Sequence, residues 1–319
     1  MEEAIRNFNT QFEWKPVVAN AQKLPKASTF VVGGMGGSHL SADLLSVYAP
    51  SLDIYVHRDY GIPAHVDGAD ALYIASSYSG NTEETLDFAI AALKKGYAVA
   101  TVSVGGKLLE FAKANDLPHI VIPDTHIQPR CALGFAMVAL AKLIGDETLL
   151  RELATLSEVL KPEELREAGK KLSESLRSAV PVVYASAGNT AVAYNWKIKL
   201  NETGKIPAFY NVLPELNHNE MTGFDITGST EGLSRRFHFL FLSDTDDHPQ
   251  TQKRMKVTRK LYEDRGLRTT EVALWGHSKL ERIFTSLLIA DWTALHISEV
   301  YGTEAEQVPM VEEFKRLIA

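Results

Sequence analysis

The sequence predicts an α/β protein of two similar domains, each a parallel β-sheet with helices on both faces in a three-layer αβα arrangement. Three observations carry that expectation. Short, almost continuously apolar runs alternate with helix-period stretches, as strands buried on both faces require. The same order of elements recurs in the second half of the chain. A glycine-containing turn follows the first strand of each half and leads into a helix.

Taken in order, "STFVVGG" (28–34) reads as a strand ending in glycine, and "SHLSADLLSVYA" (38–49) as a helix. "LDIYVHR" (52–58) and "DALYIASS" (70–77) read as strands. In "TEETLDFAIAALKKG" (82–96), Leu86, Ala89, Ile90 and Leu93 share one helical face, and Gly96 stands at the C-cap position. "YAVATVSV" (97–104) and "HIVIP" (119–123) complete the strands of this half. The pattern returns as strand, turn and helix in "SAVPVVYASAGNTAVAYNWKIKLNET" (178–203). "RRFHFLFLSDTDDHPQTQKRMKVTRKLYEDRG" (235–266) repeats the strand, polar turn and long helix of 70–96, and "LRTTEVAL" (267–274) matches 97–104. The charged stretch 145–172 reads as helical connecting material. The expected domains are residues 20–146 and 175–300, followed by a C-terminal tail, 301–319.

The apolar content, 45% of 319 residues, is ample for such cores. A net charge of −7 with dispersed Lys and Arg argues against a nucleic-acid partner. Any anion site must then draw its positive potential locally. The single cysteine, Cys131, rules out an internal disulfide and fits a reducing compartment. The first residues carry charges and lack the apolar run of a signal peptide, and no run reaches the roughly 18–20 residues of a membrane span. A cytoplasmic protein without a membrane partner is expected.

"SSYSGNTEETLDFAIAALKK" (76–95) crowds hydroxyls at a strand end and a helix start, where backbone N–H groups lack partners and the helix dipole is positive. Ser77, Ser79 and Thr82 can surround a phosphate, with Gly80 letting the backbone approach it. The same residues also read as an ordinary turn, Thr82 capping the helix and Glu83 and Glu84 filling its first turn. The corresponding turn of the second half carries Asp244, Asp246 and Asp247, which repel an anion, so a phosphate belongs to the first half if to either. In "GGMGGSHLSAD" (33–43), His39 stands where a dinucleotide fingerprint needs glycine, and no nicotinamide cofactor is expected. Gly36, Gly37 and Ser38 suit a backbone nest for an oxygen-rich ligand, or simply tight strand-to-helix packing.

Together with "NETGK" (201–205), "LPELNHNEMTGF" (213–224) and the tail "PMVEEFKRLI" (309–318), these motifs resemble the bifunctional phosphoglucose/phosphomannose isomerase family, built from two sugar-isomerase (SIS) domains. "SYSGNT" is shared by many SIS proteins and marks sugar-phosphate binding. "NETGK" with "ELNHNE" is selective for the catalytic family. The resemblance implies that Ser77, Ser79 and Thr82 hold the phosphate and that Gly37 and Ser38 contact the substrate near the other end of the site. Arg130, in "IQPRCAL", matches an active-site arginine that steadies a developing enediolate oxygen. Glu202 matches the base that moves a proton between C2 and C1 through a cis-enediol. His218 matches a histidine that protonates the ring oxygen to open the hexose, donated across the interface of a homodimer. Lys315 matches a tail lysine that reaches the active site. Without the resemblance these four read as a surface ion pair, a helix-end glutamate, an incidental loop histidine and a solvated lysine. Two departures stand out. His39 replaces a small residue and adds a polar contact at the pocket mouth, and Val308 is apolar and anchors no sugar hydroxyl.

The implied activity is aldose–ketose isomerisation between glucose 6-phosphate, or mannose 6-phosphate, and fructose 6-phosphate, with no cofactor and no metal. The ten histidines form no metal-ligand pattern, unlike the zinc-dependent phosphomannose isomerases. Two other functions remain open: a non-catalytic sugar-phosphate sensor on the same fold, which needs neither Glu202 nor His218, and an amino-sugar phosphate isomerase.

Overall fold

Near-continuous apolar strands can bury both faces only between layers of helices, and the chain builds two such sandwiches. The computed structural model describes every residue except Asp67, Ala69 and Ala319. Residues Arg6–Leu160 form one folded unit; Met1–Ile5 and Lys161–Ala319 form the other.

The Arg6–Leu160 unit holds β1 (Thr29–Gly33), β2 (Asp53–His57), β3 (Ala71–Ser76), β4 (Ala98–Ser103) and β5 (His119–Val121). All pairs are parallel, in the order β2-β1-β3-β4-β5. Every residue of β3, next to β1 at the middle of the sheet, is buried. The helix Glu83–Lys94 buries Thr85, Phe88, Ala89 and Ala92, whereas Leu86, Ile90 and Leu93 are only partly covered. Its inner face is thus rotated from the expected stripe. Phe88 sets the centre, its ring 5.7 Å from His57 and 5.8 Å from Tyr73, because burying a phenyl ring contributes about 2–3 kcal/mol. The helix Leu133–Ile144 is absent from the expected elements. It is buried almost all round and therefore shows no amphipathic period.

The other unit holds β6 (Val180–Ser186), β7 (Phe209–Leu213), β8 (Phe237–Ser243) and β9 (Arg268–Ala273), parallel in the order β7-β6-β8-β9. The helix Lys279–Tyr301 packs on the helices Arg166–Ser175 and Thr190–Glu202 and is buried from Leu280 to Ser298. Among the described residues no helix is long and apolar enough to cross a membrane. The charged stretch 145–172 is helical, as expected, but divides between the units. Helix Glu147–Val159 buries Leu149, Leu153 and Leu156 in the first, and Arg166–Ser175 belongs to the second.

The order β7-β6-β8-β9 repeats that of β2-β1-β3-β4, the first sheet adding β5 at its edge, and the three-layer α/β class expected from the sequence is observed. In each, the chain turns to opposite sides after two adjacent strands, β1 and β3 in one sheet and β6 and β8 in the other. Beyond the C-terminal ends of such strands lies the crevice where α/β proteins bind ligands.

Candidate active site

At the first crevice the loops leaving β1 and β3 are stitched together. Ser76 Oγ donates to the Ser38 carbonyl at 2.9 Å, and Ser38 Oγ accepts from the Tyr78 N–H at 2.9 Å. Gly37 brings a third segment in. A Cβ there would lie 2.7 Å from the Arg130 nitrogen, so only glycine allows the loops to touch. Arg130 is 1% exposed, which removes the surface ion-pair reading. Its segment is held by a residue that sequence reasoning missed. Gln11 Oε1 accepts from the Gly134 and Phe135 N–H groups at 3.0 and 3.2 Å, capping the following helix, while its Nε2 donates to the Cys131 carbonyl at 2.7 Å. No local signal marks Gln11, because its partners lie more than a hundred positions away.

The turn after β3 is built as a cradle. Thr82 occupies the N-cap position of the helix Glu83–Lys94, yet its side chain makes no capping hydrogen bond. Its Oγ1 instead lies 2.9 Å from Ser77 Oγ, which also accepts from the Gly80 N–H at 3.1 Å. Ser79 Oγ accepts from the Asn81 N–H at 3.3 Å. The turn is braced from outside: the Val104 N–H donates to the Tyr78 carbonyl and the Leu108 N–H to the Gly80 carbonyl. Hydroxyls, an uncapped first turn and a twelve-residue helix dipole converge on one spot, the arrangement that favours an anion.

Gly80 is the keystone of this turn, at φ +70° and with any Cβ only 1.8 Å from the Gly105 carbonyl oxygen. Gly80→Ala should destabilise by roughly 2–5 kcal/mol, combining left-handed strain with a backbone clash. Gly36→Ala, at φ +53° but facing open space, should lose only about 1–2 kcal/mol. Equal losses in urea unfolding would show that the Gly105 contact is unimportant.

The matching crevice of the second sheet is occupied by its own side chains. Ser186 Oγ donates to Asp247 Oδ1 at 2.5 Å, and Asn189 Nδ2 lies 3.2–3.3 Å from Ser186 Oγ, Asp244 Oδ2 and Asp247 Oδ1. Arg282 pairs with Asp246 and lies 3.4 Å from Asp244. Burial pushes the Asp247 carboxyl above its usual range, opposed by the Ser186 hydrogen bond and reinforced by the charge of Asp244. A raised carboxyl pKa means the ionised group destabilises the fold increasingly as pH rises from the unfolded value through the folded one. Asp247→Asn keeps an acceptor for Ser186 and should raise Tm at pH 7. The gain should fade at pH 3.5, where the wild-type carboxyl is largely protonated; a gain independent of pH would exclude this origin.

The remaining candidates belong to the second unit. Glu202 is half-buried at the end of the helix Thr190–Glu202, whose last turn closes through Thr203 and Gly204 N–H bonds to the Lys199 carbonyl. Lys199 Nζ donates to both oxygens of Asp291 at 2.7 and 2.8 Å, deep in the core. His218 ends the short helical turn Glu215–His218 and is exposed. Lys315 is exposed on the helix Pro309–Ile318 and donates to Glu312 Oε1 at 2.8 Å, one turn back. That helix also exposes an apolar stripe of Met310, Val311, Phe314, Leu317 and Ile318. Val308 starts the helix, its carbonyl accepting from the Val311 and Glu312 N–H groups. The contact expected of His39 at a pocket mouth is corrected. The ring is 2% exposed, its Nδ1 lies 2.8 Å from Asp43 Oδ2, and Arg58 bonds the other oxygen of Asp43 at 2.6 Å. Among the described residues no cluster of three or more His, Cys, Asp or Glu is placed to hold a metal ion.

A family model described as the bacterial phospho-glucose isomerase C-terminal SIS domain matches residues 165–318. A hypothetical protein of Thermus thermophilus shares the fold with a TM-score of 0.73, covering 99% of this chain and 89% of that one at 18% identity. Fold and family model together define an α/β protein whose residues 165–318 match a SIS domain. Relatives narrow the class. A bifunctional phosphoglucose/phosphomannose isomerase of Caldicellulosiruptor bescii is 35% identical over 91% of this chain and 89% of its own. One of Aquifex aeolicus is 33% identical over 98% and 96%. The chain belongs to the bifunctional phosphoglucose/phosphomannose isomerase family.

Proposed function

We propose that this protein interconverts glucose 6-phosphate and mannose 6-phosphate with fructose 6-phosphate. The observation that carries the reading is the contrast between the two crevices. One ends in an uncapped, hydroxyl-rich helix N-terminus; the other is filled by carboxylates. Ser77, Ser79 and Thr82 hold the phosphate there, and Gly37 and Ser38 contact the sugar. Glu202 removes the C2 proton of the open-chain aldose and returns it to C1, with Arg130 steadying the enediolate oxygen between the two transfers. His218 protonates the ring oxygen so that the hexose opens, and Lys315 assists from the tail.

In this reading the active protein is a homodimer, His218 acting in the site of a second copy. Support comes from the exposure of His218 and from the uncovered apolar stripe of the tail helix. Both C2 epimers require a site that tolerates either orientation of the C2 hydrogen and hydroxyl.

The test is to incubate the protein with fructose 6-phosphate in D2O and follow by NMR deuterium entering C1 of the ketose and C2 of the aldose. Exchange with formation of both aldose epimers is expected. Binding without exchange would make the protein a sugar-phosphate sensor, and formation of glucose 6-phosphate alone would remove the mannose activity.

A further inference from the structure

His218 sits on a turn whose neighbouring residues are all tied to their own unit. Leu216 is fully buried in a cluster with Leu213, Tyr184 and Phe239. Asn217 Nδ2 donates to Thr258 Oγ1 at 2.7 Å. Asn219 Nδ2 donates to Glu215 Oε1 at 2.7 Å, and its Oδ1 accepts from the Glu220 N–H at 2.6 Å. Glu220 then bridges from the turn to the sheet. Its Oε2 accepts from Asn211 Nδ2 at 2.6 Å, and its Oε1 accepts from the Tyr184 hydroxyl.

The two donors are matched by the sheet itself. Tyr184 and Asn211 are register partners on β6 and β7, so their side chains leave the same face and converge on one carboxylate. The Tyr184 hydroxyl also lies 3.3 Å from that of Tyr262. Burial pushes both phenols up, that of Tyr262 to about 12, so both keep their protons at neutral pH.

We propose that Glu220 is a positioning residue for His218, its carboxylate clamping the 216–220 turn to two strands and so setting the direction in which the imidazole is presented. The proposal rests on the reading that His218 opens the sugar ring. Leu216 and the Asn217–Thr258 bond anchor the turn before His218, and the two hydrogen bonds of Glu220 anchor it after. A proton donor displaced by about 1 Å loses roughly 10²-fold in rate, so orientation is where the clamp acts.

Two substitutions separate a clamp from a charge. Glu220→Ala deletes it. Glu220→Gln keeps its shape: the amide oxygen accepts from Asn211, the amide nitrogen donates to the Tyr184 oxygen, and Tyr184 turns its proton toward Tyr262. The reaction to follow is the exchange of α and β anomers of glucose 6-phosphate, measured by NMR in a Glu202→Gln background. There the proton transfer at C2 is removed and ring opening and closing remain. Adding Glu220→Ala should slow enzyme-catalysed exchange by roughly 10–100-fold with the Kd for glucose 6-phosphate unchanged. Glu220→Gln should stay within about threefold of the parent, an effect the size of one altered hydrogen bond. Tyr184→Phe, which removes one clamp bond and keeps the core filled, should fall between, and it carries the test if Glu220→Ala does not fold.

Parent-rate exchange in Glu220→Ala or Tyr184→Phe would overturn the proposal, as would a Gln variant as slow as the Ala variant. His218→Ala in the same background tells the two failures apart. If it exchanges at the parent rate, the ring-opening role of His218 falls. If it is slow while the Glu220 variants are fast, only the clamp falls.

Discussion

Glu202→Gln is expected to slow the isomerisation of fructose 6-phosphate by about 10²–10⁴-fold, the contribution of a positioned proton-transfer group. Glutamine has nearly the shape of glutamate and keeps its hydrogen-bonding oxygen, but it cannot take up and return the proton that moves between C2 and C1. Substrate binding should survive, because in the proposed function the phosphate is held by Ser77, Ser79 and Thr82 and not by Glu202. The measurement is deuterium incorporation into both sugars, compared with the Kd from isothermal titration. Loss of kcat with Kd preserved marks a group acting only in the transition state. Exchange at the wild-type rate in this variant would move the base to another residue.

Lys199→Met is expected to destabilise the fold by about 3–5 kcal/mol, since removing one partner of a buried ion pair leaves the other charge without its counterion. Lys199 is 1% and Asp291 3% exposed, and the ammonium bonds both carboxylate oxygens. The pair joins the helix Thr190–Glu202 to the helix Lys279–Tyr301 one turn before Glu202. Activity should therefore fall with stability as the last turn loosens. The double variant Lys199→Met, Asp291→Leu should recover most of the stability, because two apolar side chains of similar volume need no desolvated charge. Urea unfolding of the three proteins decides it. A single variant that loses less than about 1 kcal/mol, the worth of an exposed pair, would mean that the charges are not buried in solution.

Much of the fold was legible because its signals are local. Strands such as Ala71–Ser76 are buried on both faces and so appear as unbroken apolar runs. The helix Leu133–Ile144 escaped because burial all round erases the helical period on which such reading depends. The face of Glu83–Lys94 came out rotated, since spacing treats Leu86 and Phe88 alike and packing does not. At the candidate site, the hydroxyl-rich turn and its acidic counterpart were visible as composition. Gln11, Lys199 and Glu220 were not, for each acts on partners chosen by the fold rather than by neighbouring sequence.

By itself the sequence determined the alternation of strands and helices, the recurrence of one order of elements in both halves, and the short motifs that place the chain in its family. Those properties rest on periodicity and on residues within a few positions of one another. Only the tertiary structure decided what the turn after β3 is. Thr82 was equally able to cap its helix or to face Ser77, and Asp247 to stand in solvent or to bond Ser186. Each choice turned on a hydrogen bond. Thr82 faces Ser77 because loops from β1 and β4 brace that turn from outside, and Asp247 is held by Ser186 from 61 positions away in the chain. A hydroxyl or carboxylate bonds whatever the fold brings within reach, and that is settled by packing between segments distant in sequence.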